Sequence, residues 1–307
     1  SACFSCRHSA FRYTHGMKRR SAVIGSSNVD FVMKIPSLPQ RGETVTDGHF
    51  LQTFGGKGAN QAIAAARAGG TVAFVTCLGQ DLYAPLIVES LRRDGIDTTH
   101  VRQVAGCQSG AALVMFDAEG ENYLAVAPGA NYQLTPEWAR QCEDLVAHNE
   151  MLLLQMEIPV DSTLELLSIA EQHGTEVLFN YAPVRGVPVP LTSTMTVLVV
   201  NEVEAGAILG HPIGSPDDAM RAAPSLHDQG AKFVIVTMGA EGVVVIGDGQ
   251  AYHVPAFVVS PVDTTAAGDT FCGALAVGML ERLPLPQAVR FANAASALSV
   301  TRIGAQP

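Results

Sequence analysis

The stretch "MLLLQMEIPVDSTLELLSIAEQHGTEVLFNYA", residues 151–182, decides the fold. Its first run, "MLLLQME" (151–157), is apolar up to a polar end, and so is its last, "EVLFNYA" (176–182). Residues 160–173 between them carry a helical pattern. A strand with one wet face alternates in polarity, whereas a strand apolar throughout is covered on both faces. Working outward, "SAVIGSS" (21–27), "TVAFVTC" (71–77), "TVLVVNE" (196–202) and "KFVIVTMG" (232–239) repeat the strand pattern. "GKGANQAIAAARAGG" (56–70), "DLYAPLIVESLRRDG" (81–95) and residues 216–229 repeat the helical one, with Asp81 near a cap and Gly95 past an end. The expected class is therefore α/β, a mostly parallel sheet covered by helices on both faces. Function in such a sheet gathers at the carboxyl ends of the strands, which directs attention to Glu157, Asn180, Asn201 and Thr237.

Two segments break the rhythm. Residues 28–54, "NVDFVMKIPSLPQRGETVTDGHFLQTF", and 109–127, "SGAALVMFDAEGENYLAVA", alternate in polarity and contain turn signals, with "FDAEGENY" read as a hairpin loop. They are too few for a core of their own and are expected to form a small antiparallel β lid over the strand ends. Its exposed face is a natural seat for a partner subunit, so a homodimer through the lid is expected. The chain from residue 21 to 307 then reads as one domain.

Composition narrows the class further. The 307 residues are 48% hydrophobic and 16% charged, an ordinary globular balance. A net charge of −10 with no basic patch argues against a nucleic-acid partner. No apolar run approaches the roughly 18 residues that a membrane span needs. Cys3 and Cys6 form a lone C-x-x-C without a second pair at zinc spacing. Cys77, Cys107, Cys142 and Cys272 sit in apolar surroundings and read as buried, reduced thiols of a cytoplasmic protein. The first twenty residues carry Arg, His and Ser but no acid, and stand apart from the fold. An organellar address and a leader ahead of Met17 both fit them.

The chemistry concentrates in "VDTTAAGDTFCGALAVG" (262–278), where Asp263 and Asp269 flank a small turn at a helix start. A helix N-terminus with bare amides attracts anions. A carboxylate beside it makes sense either as a base that removes a proton from whatever attacks the anion, or as a plain helix cap. In "GGKGAN" (55–60), glycines bring the backbone close to a ligand, and Lys57 and Asn60 offer groups that bind hydroxyls. The P-loop pattern is absent. Asn28 and Asp30 follow the first strand and suit either hydroxyl binding or a turn. "TMGAEG" (237–242) is a strand and glycine turn, equally a phosphate seat or a hairpin turn.

Two motifs, "FGGKGANQAIAAARAGG" (54–70) and "DTTAAGDTFCGALA" (263–276), together with "RGETV" (41–45), "GQD" (79–81), "APGAN" (127–131), "NEVE" (201–204) and "TRIGAQP" (301–307), resemble the sugar kinases of the ribokinase family, the carbohydrate kinases named for the minor phosphofructokinase. The likeness runs from about Ser21 to Pro307. It implies transfer of phosphate from ATP to the 5-hydroxyl of D-ribose, giving ribose 5-phosphate and ADP. Kinases of deoxyribose, a nucleoside or another sugar share the fold, and a silent sugar-binding protein would retain it.

The resemblance also assigns residues. It implies that Asp269 is the general base, with the amides of Ala266, Ala267 and Gly268 as the anion hole. Asn28, Asp30, Gly56, Lys57, Asn60, Glu157 and Asp269 fall to the sugar. Asn201, Thr237, Gly239, Glu241, Gly242, Gly268 and Asn293 fall to ATP, although Asn293, in "RFANAAS", also suits a plain helix residue. Glu204 is implied to organise magnesium through water; a helix-surface place is the alternative. Asp263, Thr265, Val300, Ile303 and Ala305 are implied to form a potassium loop, completed in relatives by a Ser beyond the position of Pro307 and followed by a terminal helix. The polar set is sized for a small polyol with few aromatics to stack a base, so ribose is expected over adenosine.

Overall fold

The structure, a computed structural model, describes residues 20–117, 122–184, 189–247 and 249–306. The expected leader, apart from Arg20, and the middle of the "FDAEGENY" loop lie outside the described residues. In chain order come β1 (Arg20–Ile24), β2 (Asn28–Lys34), β3 (His49–Gly55), α1 (Lys57–Arg67), β4 (Thr71–Gly79) and α2 (Ala84–Arg93). Then follow β5 (Val101–Val104), β6 (Gly110–Phe116), β7 (Asn122–Ala127), the short helices α3 (Pro136–Gln141) and α4 (Glu143–Ala147), and β8 (Met151–Gln155). The chain continues through α5 (Val160–His173), β9 (Glu176–Asn180), β10 (Met195–Asn201), α6 (Glu202–Leu209), α7 (Pro216–His227) and β11 (Phe233–Thr237). It ends with β12 (Val243–Gly247), β13 (Gln250–Val254), α8 (Ala267–Leu280) and α9 (Leu285–Ser299).

The main sheet has nine strands in the order β13-β12-β11-β10-β9-β8-β1-β4-β5. From β11 to β5 every neighbouring pair is parallel. The alternation of side chains explains the unbroken apolar runs: Leu152 and Leu154 of β8 enter one core, and Met151 and Leu153 enter the other. The first core lies under α3, α4, α5, α6 and α7, with Trp138, Leu166, Phe179 and Val200. The second lies under α1, α2, α8 and α9, with Phe74, Ile87, Phe271 and Leu275. Cutting a residue such as Leu153 to Ala would cost about 2–5 kcal/mol. At one edge β12 and β13 run antiparallel, as a hairpin leaving β11. The apolar run of β12, Val243–Gly247, is buried throughout, and the hairpin is the one that the turn reading of "TMGAEG" allowed.

The lid is a separate four-stranded sheet in the order β3-β2-β6-β7. Its two hairpins, β2–β3 and β6–β7, are antiparallel, and they join through a parallel pair between β2 and β6. Among the described residues no helix is long and apolar enough to cross a membrane. Cys77, Cys142 and Cys272 are buried and unpaired, whereas Cys107, expected to be buried, is only half-buried in the turn between β5 and β6.

Candidate active site

The helix α8 is apolar on nearly all sides because it packs between α1 and α9 over the sheet. That brings its first turn beside the first turn of α1. The N-cap is Ala266, which holds φ at +58° and offers no capping side chain. A left-handed alanine costs about 1–3 kcal/mol, a strain that the surrounding turn sustains. The first amides of a helix lack intrahelical acceptors. Ala267 gives its amide to Thr264 O at a long 3.3 Å. Gly268 is exposed, and a Cβ placed on it would meet nothing within 4 Å, so open space lies over this turn.

Asp269 does not cap the helix. It is 5% exposed, and both carboxylate oxygens turn to α1: Oδ2 accepts Asn60 Nδ2 at 3.0 Å and Oδ1 accepts Gln61 Nε2 at 3.1 Å. Burial pushes its pKa up, a push that the Lys57 ammonium and these two amides oppose and Glu157 reinforces, with a raised value as the net result. Lys57 shows the reverse balance. Burial disfavours its charge, but Asp269, Glu157 and Glu204 around it outweigh burial and raise its pKa.

The residues expected at the sugar converge on the same place. Asn28 is buried, and its Oδ1 accepts Asn131 Nδ2 at 2.8 Å. Asp30 on β2 has a buried Oδ1 without a partner. A Cβ on Gly55 would lie 2.0 Å from its other oxygen, so only glycine lets the lid strand close on this carboxylate. Desolvation first, and then the nearby Glu157, raise the Asp30 pKa to about 6. Glu157 Oε2 accepts Ser26 Oγ at 2.5 Å and the Lys57 amide at 2.9 Å, which fastens the start of α1 to the β1–β2 turn. Gly56, at φ +89°, lies against Ser27 and Asn28, where a Cβ would come within 2.9 Å of Ser27 Cα. Asn60 is engaged at both ends, since its Oδ1 accepts Gln306 Nε2 at 3.0 Å.

On the other flank, Asn201 and Glu204 form a reciprocal capping box at the start of α6, with bonds of 2.9 and 2.7 Å. Glu204 is half-buried rather than on an open helix face. Burial raises its pKa, and Lys57 pulls it down while Asp269 pushes it up, so the three groups share one cleft. Thr237 ends β11, and Gly239, Glu241 and Gly242 make the turn of the β11–β12 hairpin, with φ of +52° and +93° at the two glycines. Of the two alternatives for "TMGAEG", the hairpin turn is what the structure shows, and it lies at a carboxyl end of the sheet. Asn293 is buried on α9 and points its amide at Val254 O and Pro255 O, at 3.5 and 3.4 Å. In this structure it ties α9 to the segment after β13.

Asp263 joins two chain segments. Its Oδ1 accepts the Thr265 amide and its Oδ2 the Gly304 amide, both at 2.9 Å. Burial would raise its pKa, but these donors outweigh burial and lower it. Val300 O accepts the amides of Val262 and Asp263 at 2.7 and 3.2 Å, and Ile303 and Ala305 follow on the same segment. The loop offers hard oxygen donors, the type a monovalent cation takes.

Four residues at this site were not read from the sequence: Ser26, Gln61, Asn131 and Gln306. Gln61 adjoins Asn60, Asn131 closes "APGAN" and Gln306 lies in "TRIGAQP", so each stood inside a quoted motif without an assigned part. Among the described residues no cluster of His, Cys, Asp and Glu could hold a metal ion directly. The cleft carries Glu157, Glu204 and Asp269 around Lys57, with Asp30 near Glu157, so an anion of high charge entering it calls for added cations. Glu204, beside Lys57 and Asp269, is the carboxylate of this cleft that could meet a divalent cation through water.

Comparison with known proteins agrees with this geometry. The model of the pfkB family of carbohydrate kinases matches residues 18–307. A ribokinase of Haemophilus influenzae is 38% identical over 290 residues, 94% of this chain and 95% of its own. A deoxyribokinase of Salmonella typhi is 35% identical over 286 residues, 93% of this chain and 94% of its own. The structure of Arabidopsis thaliana ribokinase complexed with ribose and ATP superposes with a TM-score of 0.85 at 32% identity, covering 94% of this chain and 95% of that one. With a carboxylate buried at a helix N-terminus and polar side chains gathered beside it, the chain belongs to the pfkB family of carbohydrate kinases.

Proposed function

We propose that this chain is an ATP-dependent kinase of D-ribose, one domain over residues 21–307, working in the cytoplasm. The observation that carries the reading is Asp269, buried at the N-terminus of α8 between the α1 amides and beside Lys57. Asn28, Asp30, Gly56, Lys57, Asn60 and Glu157 hold the sugar hydroxyls. Asp269 takes the proton of the 5-hydroxyl as that oxygen bonds to the γ-phosphorus and the bond to the ADP oxygen breaks. The amides of Ala266, Ala267 and Gly268 receive the charge on the transferring group. Asn201, Thr237, Gly239, Glu241, Gly242 and Asn293 seat the nucleotide. Glu204 would hold magnesium through water, where it would supply positive charge against the phosphates, and Asp263, Thr265, Val300, Ile303 and Ala305 would hold potassium beside the anion hole.

The similarity to a deoxyribokinase supports a second reading, 2-deoxyribose as substrate. ADP release measured across ribose, deoxyribose, fructose, adenosine and pseudouridine separates the two, with the highest kcat/KM expected for ribose. A higher value for a nucleoside would overturn the sugar assignment. Asp269→Asn is expected to bind ribose and lose about 10²–10⁴ of kcat; a kcat within a few-fold of wild type would overturn its role as base.

The lid supports a homodimer. Leu51, Leu124 and Val126 share one face of it with Asp30, and Phe50, Leu113 and Tyr123 share the other, all of them exposed. One face closes over the sugar and the other is proposed to meet a second copy of this chain. Light scattering of the wild type and of Leu113→Lys tests it, with a dimer expected for the first and a monomer for the second. A monomeric wild type would end the proposal.

A further inference from the structure

Gln61 follows Asn60 on α1 and is fully buried, a place where a primary amide needs its donors and its acceptor matched. Its Nε2 donates to Asp269 Oδ1 at 3.1 Å and to Asn180 Oδ1 at 3.0 Å, while its Oε1 accepts Gln155 Nε2 at 2.8 Å. The direction of this chain is fixed from two sides. An ionised carboxylate only accepts. Asn180 gives its own Nδ2 to Val199 O at 3.2 Å, and a backbone carbonyl cannot donate, so Asn180 turns its oxygen to Gln61. Gln61 must therefore present its NH2 to both neighbours and its oxygen to Gln155. The far end of the chain, Gln155 Oε1, is buried without a partner. An orphaned acceptor is costly, yet turning Gln155 over would set its oxygen against that of Gln61.

We infer that Gln61 is the positioning residue of the proton acceptor: its amide, locked by Asn180 and Gln155, aims the Asp269 carboxylate and keeps it ionised in a buried place. The inference rests on Asp269 acting as the base proposed above. Besides Gln61 and Asn60, the groups that face Asp269 are Lys57 of α1, Glu157 after β8, Glu204 of α6 and Cys272 of α8 itself. Glu157, Glu204 and Cys272 do not stabilise the ionised form. Lys57 does so through its charge, and the Gln61 amide holds the oxygen that Asn60 does not reach.

The test reads the acid limb of kcat with sugar and nucleotide saturating, so that titration of Asp30 in the free enzyme does not enter. Gln61→Met keeps the volume and removes the donor. It is expected to move the limb up by about one pH unit, with kcat about tenfold lower below the limb and recovering above it. Gln61→Glu places an acceptor against Asp269 and is expected to move the limb further. A stable variant whose limb stays at the wild-type pH, with any loss equal at all pH values, means that Gln61 only packs, and overturns the inference. If neither variant folds, Gln155→Met leaves Gln61 in place but frees its orientation, and the same displacement or its absence decides. Asp269→Asn measured alongside keeps the two proposals apart. Turnover retained in that variant defeats the base itself, whereas an unmoved limb beside a dead Asp269→Asn defeats only the part given to Gln61.

Discussion

Asn131 donates its Nδ2 to Asn28 Oδ1 at 2.8 Å while its own Oδ1 takes the Ser27 amide at 2.9 Å. Its orientation is thereby fixed, and so is that of Asn28, which spends its oxygen on Asn131 and keeps its NH2 for a ligand. Gly110 makes this possible, since a Cβ there would lie 2.2 Å from both Asn131 Nδ2 and Asn28 Oδ1. Asn131→Asp would set two acceptors against each other in a buried place. The expected outcome is a ribose KM at least tenfold higher, a smaller change in kcat, and a stability loss of about 1–3 kcal/mol. Steady-state kinetics with a thermal scan checks it; an unchanged KM would show that the orientation of Asn28 does not matter to the sugar.

The raised Asp30 pKa has a consequence for stability and one for binding. Its folded value of about 6 lies above its ordinary 3.8, so the folded state holds the proton more tightly. Between about pH 4 and 6 the fold therefore loses stability as pH rises, and above 6 the full cost of a buried charge is present. That rise in pKa sets an upper bound of about 3 kcal/mol, less what solvent screens. Asp30→Asn should melt higher than wild type at pH 7.5 and no higher at pH 4, while its affinity for ribose falls. In the wild type, kcat/KM for ribose should decline below about pH 6 as Asp30 takes up its proton. A variant with the same melting advantage at both pH values would contradict the ionisation account.

The Asp263 carboxylate closes one loop onto another through Thr265 and Gly304. If potassium lies among those oxygens, activity rises when potassium replaces a bulky organic cation at equal ionic strength. Asp263→Ala should abolish that response and, with two charge-assisted bonds lost, cost about 1–3 kcal/mol of stability. A wild type indifferent to potassium would reduce Asp263 to a structural tie.

How much of this was legible in the sequence depends on the range of the interaction. Val160–His173 is the helix that the pattern of 160–173 predicts, because its apolar residues must face one sheet and Gly174 stops it at φ +67°. The parallel strands were legible for the same local reason. The pairing of β2 with β6 was not, since Asn28↔Gly110 joins residues far apart and nothing in either segment states a direction. Asp269 and Asn60 stood out by their motifs, but the contact between them did not, and Gln61 did not stand out at all. Gln61 looks like any polar helix residue until the crossing of α1 and α8 turns it inward. Asn131 likewise gains its meaning only when the chain after β7 returns to the β1–β2 turn.

That crossing rests on Gly273, one helical turn beyond Asp269 on α8. Replacing a mid-helix glycine by alanine ordinarily stabilises a helix by about 1 kcal/mol. Here the added Cβ would lie 2.6 Å from Gln61 O, 2.7 Å from Ala64 Cβ and 2.7 Å from Ala65 N. Two of those atoms are backbone of α1, so no side chain can step aside and the helices must separate. Overpacking of this kind costs about 1–3 kcal/mol, which exceeds or cancels the propensity gain. The separation acts on the same face that holds Asp269 to Asn60 and Gln61 at 3.0 and 3.1 Å. A shift on the order of 1 Å at a reacting group can cost about a hundredfold in rate. Gly273→Ala is therefore expected to melt at or below the wild-type temperature and to lose at least tenfold in kcat, with ribose binding reduced less. A variant that melts higher and turns over normally would show that α1 and α8 have slack where they cross, and that the Asp269 geometry is not set by this contact.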